Sequence, residues 1–174
     1  MAGYDDIPFA VEELFIKFVP ITLDDGRKID GEQTAEILMH AVEKHGSTWI
    51  SISQAARGMS AKRAEHLNRA IREGQIIHLF IGVNNRNIDN DIGFSCRIRE
   101  IRTSPSPFPV PDRSNLAEEF SYEGMCRTWV LVTDMKRETE RKAEDYIISG
   151  TGGSLKWTIA HSRMSFAYIM ERIG

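Results

Sequence analysis

Ser47-Thr48-Trp49-Ile50-Ser51, together with the alternating apolar run over residues 76–83, is the stretch on which the choice of fold turns. It follows Gly46, and it sets one tryptophan among small hydroxyl residues. A tryptophan in that setting either fills a core or presents its ring to a ligand at a strand end. Upstream, Ala35, Leu38, Met39 and Val42 recur at the three- and four-residue spacing of one helix face, which predicts a helix over 30–45 with Gly46 as its stop. Before that helix, Leu14-Phe15-Ile16-Lys17-Phe18-Val19-Pro20 reads as a first strand that the proline ends. Asp24, Asp25, Lys28, Asp30, Glu32 and Glu36 show no fixed ligand spacing and read as a solvated loop and helix start.

Downstream, Ser60 is a candidate N-cap for a second helix that carries Ala64, Leu67, Ala70 and Ile71 inward and stops at Gly74. Its outer face holds Lys62, Arg63, Arg69 and Arg72. Residues 76–83 and 92–101 predict two strands joined by a long polar tip rich in Asn and Asp. In the second strand Phe94, Cys96 and Ile98 alternate with Ser95, Arg97 and Arg99, so one face is expected to be buried and Arg97, Arg99 and Arg102 to sit near one surface. Residues 103–124 hold Pro105, Pro107, Pro109 and Pro111 around Phe108 and read as a stiffened irregular loop. A strand centred on Trp129 over 125–133, a charged helix over 137–148, a turn at 151–154 and short closing elements complete the order. This order predicts an α+β domain with a mostly antiparallel, strongly curved sheet.

The length of 174 residues, with 41% apolar and 27% charged residues, fits one globular domain over 1–174 with its own core. A net charge of -3 argues against coating nucleic acid by bulk electrostatics and leaves local basic patches for that role. Cys96 and Cys126 have no second cysteine or histidine at metal-ligand spacing, so buried free thiols are expected, with no metal and no cofactor. No stretch has the length and apolarity of a membrane span, and the opening Met-Ala-Gly-Tyr-Asp-Asp is unlike a signal peptide, so the expected location is the cytoplasm. No serine-histidine-aspartate or cysteine-histidine spacing is visible, and His40, His45, His66, His78 and His161 are scattered. No catalytic constellation is thus expected, and the sequence alone leaves open whether the chain is an enzyme.

Several segments resemble parts of a known family. Residues 14–20 resemble the opening strand of the EVE domain and the corresponding strand of the YTH domain, and Trp49 with Ser51 resembles the tryptophan-serine signature after the first YTH helix. His66-Leu67-Asn68-Arg69-Ala70 with the strand ending in Val83-Asn84, the tryptophan strand over 127–134, and His161-Ser162-Arg163 are similar to later elements of those domains. The resemblance covers residues 14–165 in the right order. It implies a PUA-like fold, a strongly curved, mostly antiparallel sheet or barrel flanked by helices, whose aromatic pocket captures a flipped or unpaired, methylated base of DNA or RNA.

Residue by residue, the resemblance makes Trp49 the first wall of that pocket and Phe108 the second, with Phe120 and Tyr122 as alternates, and Leu116 the aliphatic third. Trp129 is then expected beneath the sheet as core. Ser51 and Asn84 are candidates to read the base edge, and Lys17, Lys62, Arg63 and Arg163 to contact phosphates. The chain departs from the YTH pattern at Val19, where an asparagine reads the base, and at Met164, where an aspartate follows the serine-arginine pair. Two further readings are a protein-interaction module of a bacterial defence or phage system, and a PUA-like-fold hydrolase using Lys17 with Glu12 or Glu13.

Overall fold

A computed structural model describes residues 12–52, 59–83, 91–120, 124–161 and 166–172. The first strand, β1 (Glu13–Phe18), is followed by a two-stranded ribbon, β2 (Ile21–Thr22) and β3 (Lys28–Ile29), and by helix α1 (Gly31–His45). Asp30 caps α1 by accepting the Gln33 N–H, while the Gln33 side chain accepts the Asp30 N–H, so two orphan donors of the first turn are satisfied together. At the other end Gly46 takes φ 82°, a left-handed conformation that suits glycine. Gly31 is required for a different reason, because a Cβ there would lie 2.7 Å from the Phe18 carbonyl oxygen. The first turn of α1 is thereby held directly against the end of β1.

Strand β4 (Thr48–Ser51), helix α2 (Ala61–Arg72) and strand β5 (His78–Val83) come next. Trp49 stands within strand β4, since Thr48 to Ser51 pair with a later strand over their whole length. Ser60 caps α2 by accepting the Arg63 N–H. The chain continues through β6 (Ile92–Pro109), β7 (Met125–Arg137), β8 (Tyr146–Ile148), α3 (Leu155–His161) and β9 (Phe166–Glu171). The main sheet has seven strands in the order β4-β7-β6-β5-β1-β9-β8, antiparallel except where β1 runs parallel to β5. A single crossover through α1, β4 and α2 joins that parallel pair.

Three expectations are corrected. The sheet is open, ending at β4 and β8 among the described residues, and is not a closed barrel. The proline segment continues β6 as far as Pro109, where Phe108 pairs with Cys126 and Pro109 with Met125. β5 is paired only as far as Arg97, so Pro105, Pro107 and Pro109 lie where β6 has a neighbour on one side, and proline is tolerated on such an edge. The charged helix expected over 137–148 is instead the end of β7, a 3-10 turn at Ala143–Asp145, and β8. Glu138 fixes that reversal by accepting the Ser95 hydroxyl at 2.6 Å and the N–H groups of Glu140 and Arg141. The charge spacing suits a helix, but the segment has no apolar stripe to bury on one.

The two faces of the sheet are covered differently. On one, α1 and α2 enclose the largest core, with Leu14, Ile16, Leu79, Ile81, Phe94, Ile98, Val130 and Val132 of the sheet against Leu38 and Leu67 of the helices. Full burial of each such side chain contributes about 1.5–3 kcal/mol. On the other face, α3 and β8 cover Phe15, Phe80 and Ile169. A third cluster, Trp49, Val110, Leu116, Cys126 and Trp129, sits at the β4 end. Among the described residues no helix is long and apolar enough to cross a membrane.

Candidate functional site

At the β4 end of the sheet lies a cavity of about 300 Å³ lined by Trp49, Ile50 and Ser51, by residues 16–19 of β1 and its end, by Thr34 and Leu38 of α1, and by Leu116, Phe120, Cys126 and Trp129. Side chains of a strand alternate between faces, so three consecutive β4 residues in one lining mean that the cavity faces the edge of the strand. Among the described residues that edge is unpaired in the sheet. The Ile52 N–H donates to the Thr128 carbonyl at 3.0 Å, which fixes the phase of the ladder: Ile50 exchanges bonds with Val130, while Trp49 and Ser51 turn their main-chain groups outward.

The walls are held by polar links. Thr48 donates its hydroxyl to the Asn115 carbonyl at 2.7 Å, and the Asn115 amide donates to the Ser47 hydroxyl at 2.7 Å, which brings Leu116 over Trp49. Trp129 is oriented by its indole N–H, which donates to the Phe108 carbonyl at 2.9 Å. The Trp49 indole N–H, by contrast, makes no hydrogen bond among the described residues. Lys17 lines the same cavity and forms no ion pair among the described residues. Both are donors, so the cavity is suited to a flat, largely apolar group that presents acceptors. Cys126 adds no nucleophile, because burial pushes its thiol up to about 11 despite the opposing backbone hydrogen bonds from Thr128 and Ile52.

The residues expected at the site divide clearly. Trp49, Ser51, Leu116 and Lys17 come together around the cavity, as does Phe120, an alternate for the second wall. Phe108 does not line it; its side chain packs against the cluster behind, and its carbonyl holds Trp129. Trp129, expected as core, is 4% exposed and nevertheless contributes a wall. Its place next to Trp49 could have been found by pairing the two strands, because Ser51 stands opposite Trp129 in the register. Arg63 is engaged by Glu12 and lies over the Tyr168 ring at 3.7 Å from its centre, and Lys62 also has a partner, so neither stands free for phosphate. Asn84, Tyr122, Arg163 and Met164 lie outside the described residues.

Neither carboxylate considered for a hydrolase is at the cavity: Glu12 bonds Arg63, and Glu13 lies 2.7 Å from His78 Nδ1. Among the described residues no group of three or more His, Cys, Asp or Glu side chains is placed to hold a metal ion. No protein-family model, no curated protein and no solved structure matches the chain.

Proposed function

We propose that this chain is a nucleic-acid-binding module of PUA-like fold, from the EVE/YTH branch, that works in the cytoplasm and captures a flipped or unpaired, methylated base in the cavity between Trp49 and Trp129. The observation that carries this reading is the pair of indole rings lining one base-sized cavity at an unpaired sheet edge, with the Trp49 N–H and Lys17 uncommitted among the described residues. A base that leaves its stack needs flat apolar surfaces in exchange, and stacking on an aromatic side chain is worth about 1–3 kcal/mol per base. A methyl group entering the apolar lining adds about 0.8 kcal/mol, so the discrimination expected per methyl is about fourfold. The outward main-chain groups of Trp49 and Ser51 give the base edge both a donor and an acceptor to meet.

The test is binding of methylated and unmethylated single-stranded oligonucleotides at two salt concentrations, with wild type and Lys17→Ala side by side. Tighter binding of a methylated strand, weakened by the substitution, supports the reading. Absence of any preference among methylated bases, with Lys17→Ala unchanged, overturns it.

A further inference from the structure

On the face of the sheet turned away from α1 and α2, β6 carries a row of arginines. Cys96, Ile98 and Ile101 enter the helix-covered core, whereas Arg97, Arg99 and Arg102 are exposed. The row survives a change of phase in the strand because β6 bulges between Ile98 and Glu100, opposite Val132 and Leu131. A bulge of this kind leaves both Arg99 and Glu100 on the outer side. Arg127 of β7 is exposed too, and by strand alternation it shares the face of Trp129, the residue opposite Arg102.

The charges on this face are unbalanced. Arg97, Arg99 and Arg127 form no ion pair among the described residues, and Arg102 pairs with Glu100 at 2.9 Å. At the far end Glu13 is already committed to His78, which stands opposite Arg97. On the helix side most arginines are paired, Arg63 with Glu12, Arg72 with Glu65, and Arg137 with Glu32 and Glu36, and only Arg69 of α2 is exposed without an ion pair among the described residues of that side. A chain of net charge -3 thus gathers arginines without ion-pair partners among the described residues on one sheet face. The row also leads to the cavity: the Arg102 guanidinium carbon is 5.5 Å from the centre of the Trp49 ring.

We infer that the outer face of β6 and β7, through Arg97, Arg99 and Arg127, binds the phosphates of a single nucleic-acid strand leading to the cavity, which Arg102, itself paired with Glu100, adjoins; this rests on the base-capture reading for the place where the strand ends. Guanidinium groups suit phosphate because their donors form a planar fork. Alternate side chains along a strand recur at about 6.8 Å, a spacing that an extended nucleotide chain can follow. Contacts of this type set affinity and position and carry no sequence information.

The test uses the double variant Arg97→Gln/Arg99→Gln, with Arg72→Gln as a single-charge control on the helix side. Binding of methylated and unmethylated single-stranded oligonucleotides is measured across a range of salt. Loss of two phosphate contacts should reduce the salt slope by about 1.4 and weaken binding roughly 25-fold at about 0.1 M salt, equally for both strands. Unchanged affinity and slope in the double variant, with wild type binding normally, would overturn the arginine surface and leave the cavity reading standing. Loss of affinity in the double variant, where wild type shows no preference for a methylated base, supports the surface while the cavity reading fails. A wild type that binds no oligonucleotide, or an Arg72→Gln variant that loses as much affinity as the double variant, overturns the surface as well.

Discussion

The Trp129 indole N–H donates to the Phe108 carbonyl at 2.9 Å, so the proline-rich end of β6 positions a wall of the cavity through its main chain. Phe108 matters for where its carbonyl is, and its ring packs behind the wall. Trp129→Phe removes the donor and leaves that carbonyl without its partner, with an expected loss of about 1–3 kcal/mol. Phe108→Leu keeps the carbonyl and should cost less than Trp129→Phe in the same denaturation experiment. Equal losses would mean that the ring and not the bond holds this end of β6.

Asn68 gives a prediction about how α2 is fastened to the sheet. Its amide donates to the Ile101 carbonyl at 2.8 Å and its side-chain oxygen accepts the Ile101 N–H at 2.8 Å, as a neighbouring strand would. This satisfies β6 just beyond the point where β5 stops pairing. Asn68→Ala leaves two part-buried main-chain groups unmet and should cost about 2–4 kcal/mol in chemical denaturation.

Much of this is legible in the pattern of residues. Alternation of Phe94, Cys96 and Ile98 with Arg97 and Arg99 locates the buried and open faces of β6, although Ser95, expected on the open face, is buried under Glu138, and the apolar spacing with Gly46 locates α1 and its end. What stays hidden depends on pairing. The prolines of β6 look like a loop until the edge on which they fall is known, and that Trp129, a core residue as expected, also lines the cavity emerges only when β4 is laid beside β7. The reversal after β7 is hidden for the same reason, because its anchor, Glu138 on Ser95, joins residues far apart in the chain.

Glu138 makes the fold pH-dependent. Burial works to raise its pKa, but the Ser95 hydroxyl and the N–H groups of Arg141 and Glu140, with the Lys136 charge nearby, hold it below its ordinary value of 4.5. A carboxylate whose pKa is lowered by folding contributes stability above its unfolded pKa, and the contribution is lost as pH falls through the folded value. Glu138→Gln should therefore melt below wild type at about pH 7, and the two melting temperatures should converge as the pH drops below 4.5. A gap that stays constant into acid would show that shape, and not charge, fixes the turn.

Gly31 tests the link between the fold and the cavity. A Cβ at this position meets the Phe18 carbonyl oxygen at 2.7 Å, and a backbone atom has little room to yield. Gly31→Ala should push the first turn of α1 away from the end of β1, at a cost of about 1–3 kcal/mol. Thr34 and Leu38 of α1 line the cavity with Phe18, so oligonucleotide binding should weaken even in conditions where the variant is fully folded. Unchanged binding by the folded variant would separate the position of α1 from the site.

Trp49 gives the sharpest test, because it is 3% exposed and also lines the cavity. Trp49→Ala should act on both counts, costing about 3–5 kcal/mol of stability and, in whatever folded fraction remains, a stacking face worth about 1–3 kcal/mol of binding. These two losses are hard to tell apart in one variant. Trp49→Phe separates them, because it keeps an aromatic wall and removes the indole N–H. Its melting temperature should fall less than that of Trp49→Ala, while its affinity for a methylated strand drops by the equivalent of one hydrogen bond, about 0.5–1.5 kcal/mol or twofold to more than tenfold. Thermal unfolding and oligonucleotide binding on the same sample decide the matter. If Trp49→Phe melts lower but binds as wild type does, the N–H is not a ligand contact; if folded Trp49→Ala also binds normally, the ring serves the core alone and the cavity is not where the base goes.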